Sequence, residues 1–279
     1  MPEGLLLVDK PPGMTSHDVV DAERRELGTR KIGHAGTLDP MATGLLILGV
    51  GRATRLLRYF GMLAKTYEGA ARLGEETDTL DADGEVIRTS PVDASRDAVE
   101  RAAAALVGDS MQTPPAYSAA KVGGRKLYAE ARAGRPVEAP PRPIRVEAFE
   151  VTAFEGRDVG FRVTCSGGTY VRVLAADLGI ALGCGAHLVA LRRTAIGPFD
   201  VADANPPGKG VPLPIERAVA HLPRVELDGE EARAASHGRV LAPAGVEGPH
   251  AVFDPEGRLI GVYRDDGPRA KPEVILGPG

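Results

Sequence analysis

The chain has 279 residues, 43% hydrophobic and 26% charged, with 34 Lys and Arg against 38 Asp and Glu. No apolar run approaches the ~20 residues of a membrane helix, and the start at Met1 lacks the basic region and long apolar core of a signal peptide, so a cytoplasmic protein with no membrane association is expected. The mix is that of a globular chain long enough for one large domain plus a small one. The two cysteines, Cys165 and Cys184, lack metal-site spacing. Buried, reduced thiols and no zinc site are expected.

In chain order, Gly4 to Val8 is a short apolar run that ends in Asp9-Lys10-Pro11-Pro12-Gly13, a strand entering a rigid turn. Ser16 can cap a helix that runs to Leu27 and stops at Gly28. Gly44 to Val50 reads as a strand, and Ala53 to Leu63 has helical spacing at Leu56, Leu57, Phe60 and Leu63. Thr66 to Leu73 alternates like a strand, Asp83-Gly84 signals a hairpin, and Ser95 can cap a helix to Val107. Ile144 to Phe154 and Val159 to Cys165 form a second hairpin. A helix over Tyr170 to Leu182 and a strand over His187 to Ile196 follow, then a Pro/Gly-rich loop from Ala202 to Pro214 and a short helix from Ile215. From about Arg224 a smaller β-rich unit begins, with a helix over Glu230 to Ser236 and three short strands. Without regular strand–helix–strand alternation, the fold class is α+β.

Thr113 to Pro143 stands apart. It holds six prolines, Gly123-Gly124 and many bases, and its middle, Arg125 to Ala133, suits a short helix. Long ordered insertions of this kind are usually functional. Charge is segregated too: Arg52 to Arg72 carries +4 and Gln112 to Arg145 carries +5, while Glu75 to Asp109 carries -7. An acidic chain can in this way present a basic face to phosphates.

The stretch of densest chemistry is Gly33-His34-Ala35-Gly36-Thr37-Leu38-Asp39-Pro40-Met41-Ala42-Thr43-Gly44-Leu45-Leu46. It sets a carboxylate in a Gly-rich loop, before a proline that biases Asp39 toward an extended backbone. Such a carboxylate can act as nucleophile or base, or can simply bond local backbone in an Asx-Pro turn. No second acidic motif of comparable quality accompanies it, which counts against a hydrolase with a carboxylate pair. Asp78, Asp81, Asp83 and Gly84 superficially suggest a calcium loop. Thr79 and Ser90 stand where that loop needs acidic ligands, so a hairpin turn is expected.

The loop resembles the catalytic signature of the TruB family of tRNA pseudouridine synthases. Asp9-Lys10-Pro11-Pro12-Gly13-Met14-Thr15-Ser16, Lys65-Thr66-Tyr67-Glu68, Cys165-Ser166-Gly167-Gly168-Thr169-Tyr170-Val171-Arg172, and the run from Leu182 to Thr194 resemble further family segments in the same order. The resemblance covers about residues 4 to 220. It implies a catalytic domain over 1–222 with a central mixed, mainly antiparallel sheet flanked by helices and loops, and a β-rich PUA-like RNA-binding domain over 223–279. The implied activity is isomerisation of uridine 55 in the T loop of tRNA, by base flipping, without cofactor or metal, in a monomer that also meets the acceptor stem. Asp39 would be the catalytic carboxylate. Tyr67 would stack on the flipped uracil, Tyr170 would pack beside it, Leu191 would wall the pocket, and Arg172 would pair with Asp39 and keep it ionised. His34 would enter the T loop and help displace the base. Lys10 and Arg55 are candidate phosphate or loop contacts. The basic insertion matches the family's RNA-binding thumb (about 113–143), with Tyr117, Lys121, Arg125, Lys126 and Tyr128 as its contacts.

Overall fold

The computed structural model describes residues 2–118, 120–133, 135 and 137–277. The elements in order are β1 (Gly4–Lys10), α1 (Ser16–Glu26), β2 (Ile32–Ala35), β3 (Thr43–Val50), a 3-10 helix (Gly51–Phe60), β4 (Lys65–Leu73), β5 (Glu75–Thr77) and β6 (Val86–Thr89). Then come α2 (Arg96–Ala105), β7 (Gly108–Gln112), β8 (Lys121–Val122), β9 (Arg125–Lys126), α3 (Leu127–Arg132), β10 (Arg142–Glu155), β11 (Asp158–Cys165), α4 (Val171–Ala181), β12 (Ala186–Ile196) and β13 (Phe199–Asp200). Two short 3-10 turns lead to β14 (Arg224–Glu226), α5 (Gly229–Ser236), β15 (Pro249–Phe253), β16 (Leu259–Asp266) and β17 (Arg269–Ile275).

The main sheet runs β1-β3-β12-β4-β11-β10-β7, with β2 on β3 and β13 on β12. It is antiparallel except where β12 meets β3, at Arg192↔Thr43 and Arg193↔Gly44. That parallel seam lies beside the loop of Asp39 and needs Gly44. Its φ is +98°, and a β-carbon there would sit 2.3 Å from the Arg193 carbonyl oxygen. β1 and β3 read as near-continuous apolar runs because both faces are covered. Leu5, Leu45 and Ile47 pack toward the C-terminal unit, while Leu6, Leu46 and Leu48 pack toward α1. Each of these fully buried side chains contributes roughly 1.5–3 kcal/mol by leaving water.

Several expectations shift locally. Thr15, not Ser16, caps α1, in a capping box with Asp18 that satisfies both ends. The helix after β3 is 3-10 and stops at Phe60. Arg125 and Lys126 belong to a small hairpin, and the thumb helix begins at Leu127. The acidic segment does form a β5–β6 hairpin, and its turn folds around Asp78 Oδ1, which accepts the Glu85 amide at 2.9 Å. Both cysteines are buried free thiols, and burial pushes Cys165 up to about 11.

A second sheet, β14-β15-β16-β17, follows the main one. Phe253, Val262, Val274 and Leu276 join the same apolar cluster as Leu5, Leu56 and Phe60. The 3-10 helix clamps the junction: Arg55 Nη1 donates to the Ile275 carbonyl, Arg52 Nη1 to the Gly277 carbonyl at 3.1 Å, and the Tyr59 hydroxyl to Glu273 at 2.9 Å.

Candidate active site

Asp39 lies in the loop between β2 and β3, and the β1–α1 connection holds that loop in place. The Ser16 hydroxyl accepts the Leu38 amide at 2.9 Å and lies 3.2 Å from the Leu38 carbonyl. The Gly13 amide donates to the Pro40 carbonyl at 2.9 Å. Lys10 Nζ donates to three carbonyls, of Pro11, Met14 and Pro40, at 3.1, 2.7 and 3.2 Å. Leu38 is buried, so the loop is anchored by packing on one side of Asp39 and by hydrogen bonds on the other.

Lys10 therefore does not fit its expected role as a phosphate contact. Its side chain is fully buried, and its three donors bind backbone. Arg55 is exposed, but it faces the C-terminal sheet through the Ile275 carbonyl.

Arg172, in the first turn of α4, reaches Asp39 at 3.1 Å through Nη2. Its Nη1 meets Asp81 Oδ2, also at 3.1 Å, and Nη2 donates to the Tyr117 carbonyl at 2.8 Å. Asp81 is buried, and its second oxygen accepts from the Thr79 hydroxyl at 2.6 Å and the Asp83 amide at 3.2 Å. The second carboxylate missing from the sequence reading is thus present, held in place as a fixed counter-charge. Arg172 lowers the Asp39 pKa, as expected, yet the net direction is upward. Burial is the largest cause, and Asp81 and Asp83 add to it.

A cavity of about 350 Å³ opens over Asp39, with Tyr67, Tyr170, Arg172, Leu191, Arg142, Lys65 and Arg193 in its wall. Tyr67 comes from the middle of β4 and Leu191 from β12 beside a register shift. Tyr170 is the N-cap of α4, locked from both sides of its peptide by Gln112: its amide donates to Oε1 at 2.8 Å and its carbonyl accepts from Nε2 at 3.2 Å. The Arg142 guanidinium lies 4.7 Å from the Tyr170 ring centroid, a cation–π contact. The wall combines aromatic and aliphatic side chains with cations and one carboxylate, which suits a planar polar heterocycle.

His34 sits on β2, outside this lining, with Nδ1 buried and without a partner among the described residues. Burial, Arg193 and His17 all push its imidazole down, toward the neutral form. In the insertion, the Tyr117 carbonyl reaches the site through Arg172, while Arg125 and Tyr128 are exposed on its surface. The side chains of Lys121 and Lys126 lie outside the described residues. Five residues of the site escaped the sequence reading as chemistry: Asp81, Gln112, Arg142, Lys65 and Arg193. Of these, Lys65 and Arg193 carry a sequence signal, through their place inside matched segments.

Residues 24–171 match the family model described as the TruB family pseudouridylate synthase N-terminal domain. Residues 172–205 match a tRNA pseudouridylate synthase B C-terminal domain, and 222–277 match the C-terminal model of tRNA pseudouridine synthase II. The chain belongs to the TruB family of pseudouridylate synthases. It is 47% identical to the tRNA pseudouridine synthase B of Mycolicibacterium paratuberculosis, over 99% of this chain and 98% of that one. Among solved structures, the crystal structure of a Cbf5-Nop10-Gar1 complex is similar at TM-score 0.78 and 28% identity, covering 99% of this chain and 85% of that one. The structure of an H/ACA RNP bound to a substrate RNA containing 2′-deoxyuridine is similar at TM-score 0.75 and 27% identity, with 99% and 85% covered. The α+β fold with a β-rich C-terminal domain is present here, and Asp39 lines the cavity.

Proposed function

We propose that this TruB protein converts uridine 55 in the T loop of tRNA to pseudouridine, with Asp39 as the carboxylate that attacks the target nucleotide. The family and the likeness to tRNA pseudouridine synthase B over the full chain make it a pseudouridine synthase acting on tRNA. The position and the role of Asp39 are the further step. The observation that carries them is an aspartate fixed at a cavity mouth by Arg172, facing Tyr67 and Leu191.

A uridine flipped from the T loop enters between Tyr67 and Leu191, with Tyr170 and Arg142 at its edge. Stacking on such a wall contributes about 1–3 kcal/mol, comparable to the few kcal/mol needed to extrude a base, so phosphate contacts must add to binding. The basic insertion around Arg125 and Tyr128 and the C-terminal unit over 223–279 supply that surface, against the stem-loop and the acceptor stem. Ionised Asp39 then attacks C1′ or C6. The N1–C1′ bond breaks, the base turns, the C5–C1′ bond forms, the bond to Asp39 breaks to return the free carboxylate, and the C5 proton moves to N1. Product and substrate are isomers, so the atoms balance without a co-reactant. Arg172, held by Asp81, keeps the carboxylate aimed and offsets part of its burial.

The test is incubation with a T-loop RNA, followed by carbodiimide treatment and primer extension. A stop at position 55 is expected with the unaltered chain and none with Asp39→Asn, while RNA binding is retained. No stop with well-folded unaltered chain, or normal turnover by Asp39→Asn, would sink the reading.

A further inference from the structure

Two buried cations form the floor of the cavity, and neither has an acidic partner among the described residues. Lys65, 7% exposed, donates to the carbonyls of Phe60, Gly61 and Leu63 at 3.4, 3.2 and 2.9 Å. Arg193, 1% exposed, donates from Nε to the Leu45 carbonyl at 2.8 Å and from Nη2 to the Gly36 carbonyl at 3.0 Å. Its Nη1 remains. That nitrogen lies 3.5 Å from where a β-carbon on Gly36 would stand, and both residues line the cavity. The Tyr67 phenol lies near the guanidinium: burial pushes its pKa up, and Arg193 draws it down.

Asp39 and Asp81 pair with Arg172, and Asp83 acts on Asp39 as well. Lys65 and Arg193 meet carbonyls instead, with no carboxylate against them among the described residues. Buried charge without a partner is costly, and a site that keeps it is organised for an anion that arises during reaction. A uridine under attack provides one. If the N1–C1′ bond breaks first, the electron pair on N1 is shared through C6 and C5 with O4, and through C2 with O2. If a carboxylate first adds to C6, the pair moves to C5 and O4. The turn that brings C5 to the sugar about the N3–C6 axis exchanges O2 and O4. Both are acceptors, so a guanidinium that can only donate fits the base before and after it turns. Cytosine would set an amino group against it in one of the two poses.

We infer that Arg193 is a catalytic residue whose Nη1 donates to a uracil carbonyl oxygen and holds the charge that gathers there, with Lys65 adding to the field. The inference rests on the reading of the site as a uridine isomerase.

The experiment compares single-turnover rates on T-loop RNA carrying uridine, 4-thiouridine or 2-thiouridine at position 55, for unaltered chain, Arg193→Met and Arg193→Lys. Sulfur is a poor hydrogen-bond acceptor, and its intrinsic electronic effect cancels when ratios are compared between proteins. The thio-to-uridine rate ratio should differ by at least about tenfold between unaltered chain and Arg193→Met for one of the analogues. Arg193→Lys retains a cation beside the Leu45 and Gly36 carbonyls, so it should keep the fold and recover part of the uridine rate. Circular dichroism and thermal melting establish which variants fold. Equal ratios in unaltered and folded variant proteins for both analogues overturn the inference, even if uridine turnover falls, because a purely structural loss slows all substrates alike. Failure of unaltered chain to convert plain uridine is a different outcome and removes the underlying reading instead.

Discussion

Arg172 holds Asp81 through Nη1 at 3.1 Å, the same distance at which its other terminal nitrogen meets Asp39. One guanidinium thus joins the cavity carboxylate Asp39 to the buried carboxylate Asp81. Arg172→Met leaves Asp81 buried without its counter-charge, at a cost of about 3–5 kcal/mol. Urea unfolding at pH 7 should show that loss.

Asp81→Asn and Arg172→Met should move the pH–rate profile in opposite directions. The Asp81 charge pushes the Asp39 pKa up and Arg172 pulls it down. Removing the first moves the acid limb of the single-turnover rate to lower pH, and removing the second moves it to higher pH. Shifts of the same sign would show that Asp81 acts on Asp39 only through geometry.

Asp39 also carries a stability cost. Its folded pKa lies above the ordinary carboxylate value, so the folded chain binds that proton more tightly than the unfolded chain. The stabilisation linked to it is complete below the unfolded pKa and is lost as pH rises through the folded one. At pH 7 the ionised form is therefore a burden, discounted because the side chain is 38% exposed. Asp39→Asn should leave the melting temperature unchanged or raise it by up to about 2 °C at pH 7, with the difference gone near pH 3. A lower Tm at pH 7 contradicts this.

Ser16→Ala removes the acceptor of a buried amide in the Asp39 loop. The orphaned Leu38 N–H costs about 1–3 kcal/mol in denaturant unfolding. Because the loop loosens, kcat should fall by about tenfold or more while RNA affinity stays within threefold.

Lys10→Met separates a structural lysine from a phosphate contact. A phosphate contact would lower the salt slope of RNA binding by about one unit. With all three donors on carbonyls, the slope should not change, and stability should fall instead.

The elements with clear periodicity were legible: the buried strands, the helix from Ser95 and the hairpins at Asp83 and Glu155. Short strands such as Ile32–Ala35 and Gly108–Gln112 were not, because partners distant in sequence impose them and no alternation marks them. The Thr15 cap was readable from Asp18 three positions on, but the adjacent Ser16 offered the same hydroxyl, and only Leu38 distinguishes them. Asp39, Tyr67, Tyr170, Leu191 and Arg172 could be named from the ordered motifs, and the fold brings them around one cavity. The residues that tune them were hidden. Asp81 looked like a turn residue, and it reaches Arg172 across 91 positions. Arg193 stood inside a matched segment with no role attached, and the parallel seam with Gly44 places it in the interior.

The grip of the 3-10 helix on the C-terminal strand has a practical side. Arg52 and Arg55 are anchored on carbonyls at positions 277 and 275, and Leu276 is buried between them in sequence. Trimming the chain by its last five residues would uncap both arginines and open the apolar cluster behind β3, the strand that leads out of the Asp39 loop. Affinity tags fused directly at that terminus, or exopeptidase digestion from it, would act on the packing behind β3 and so on the Asp39 loop.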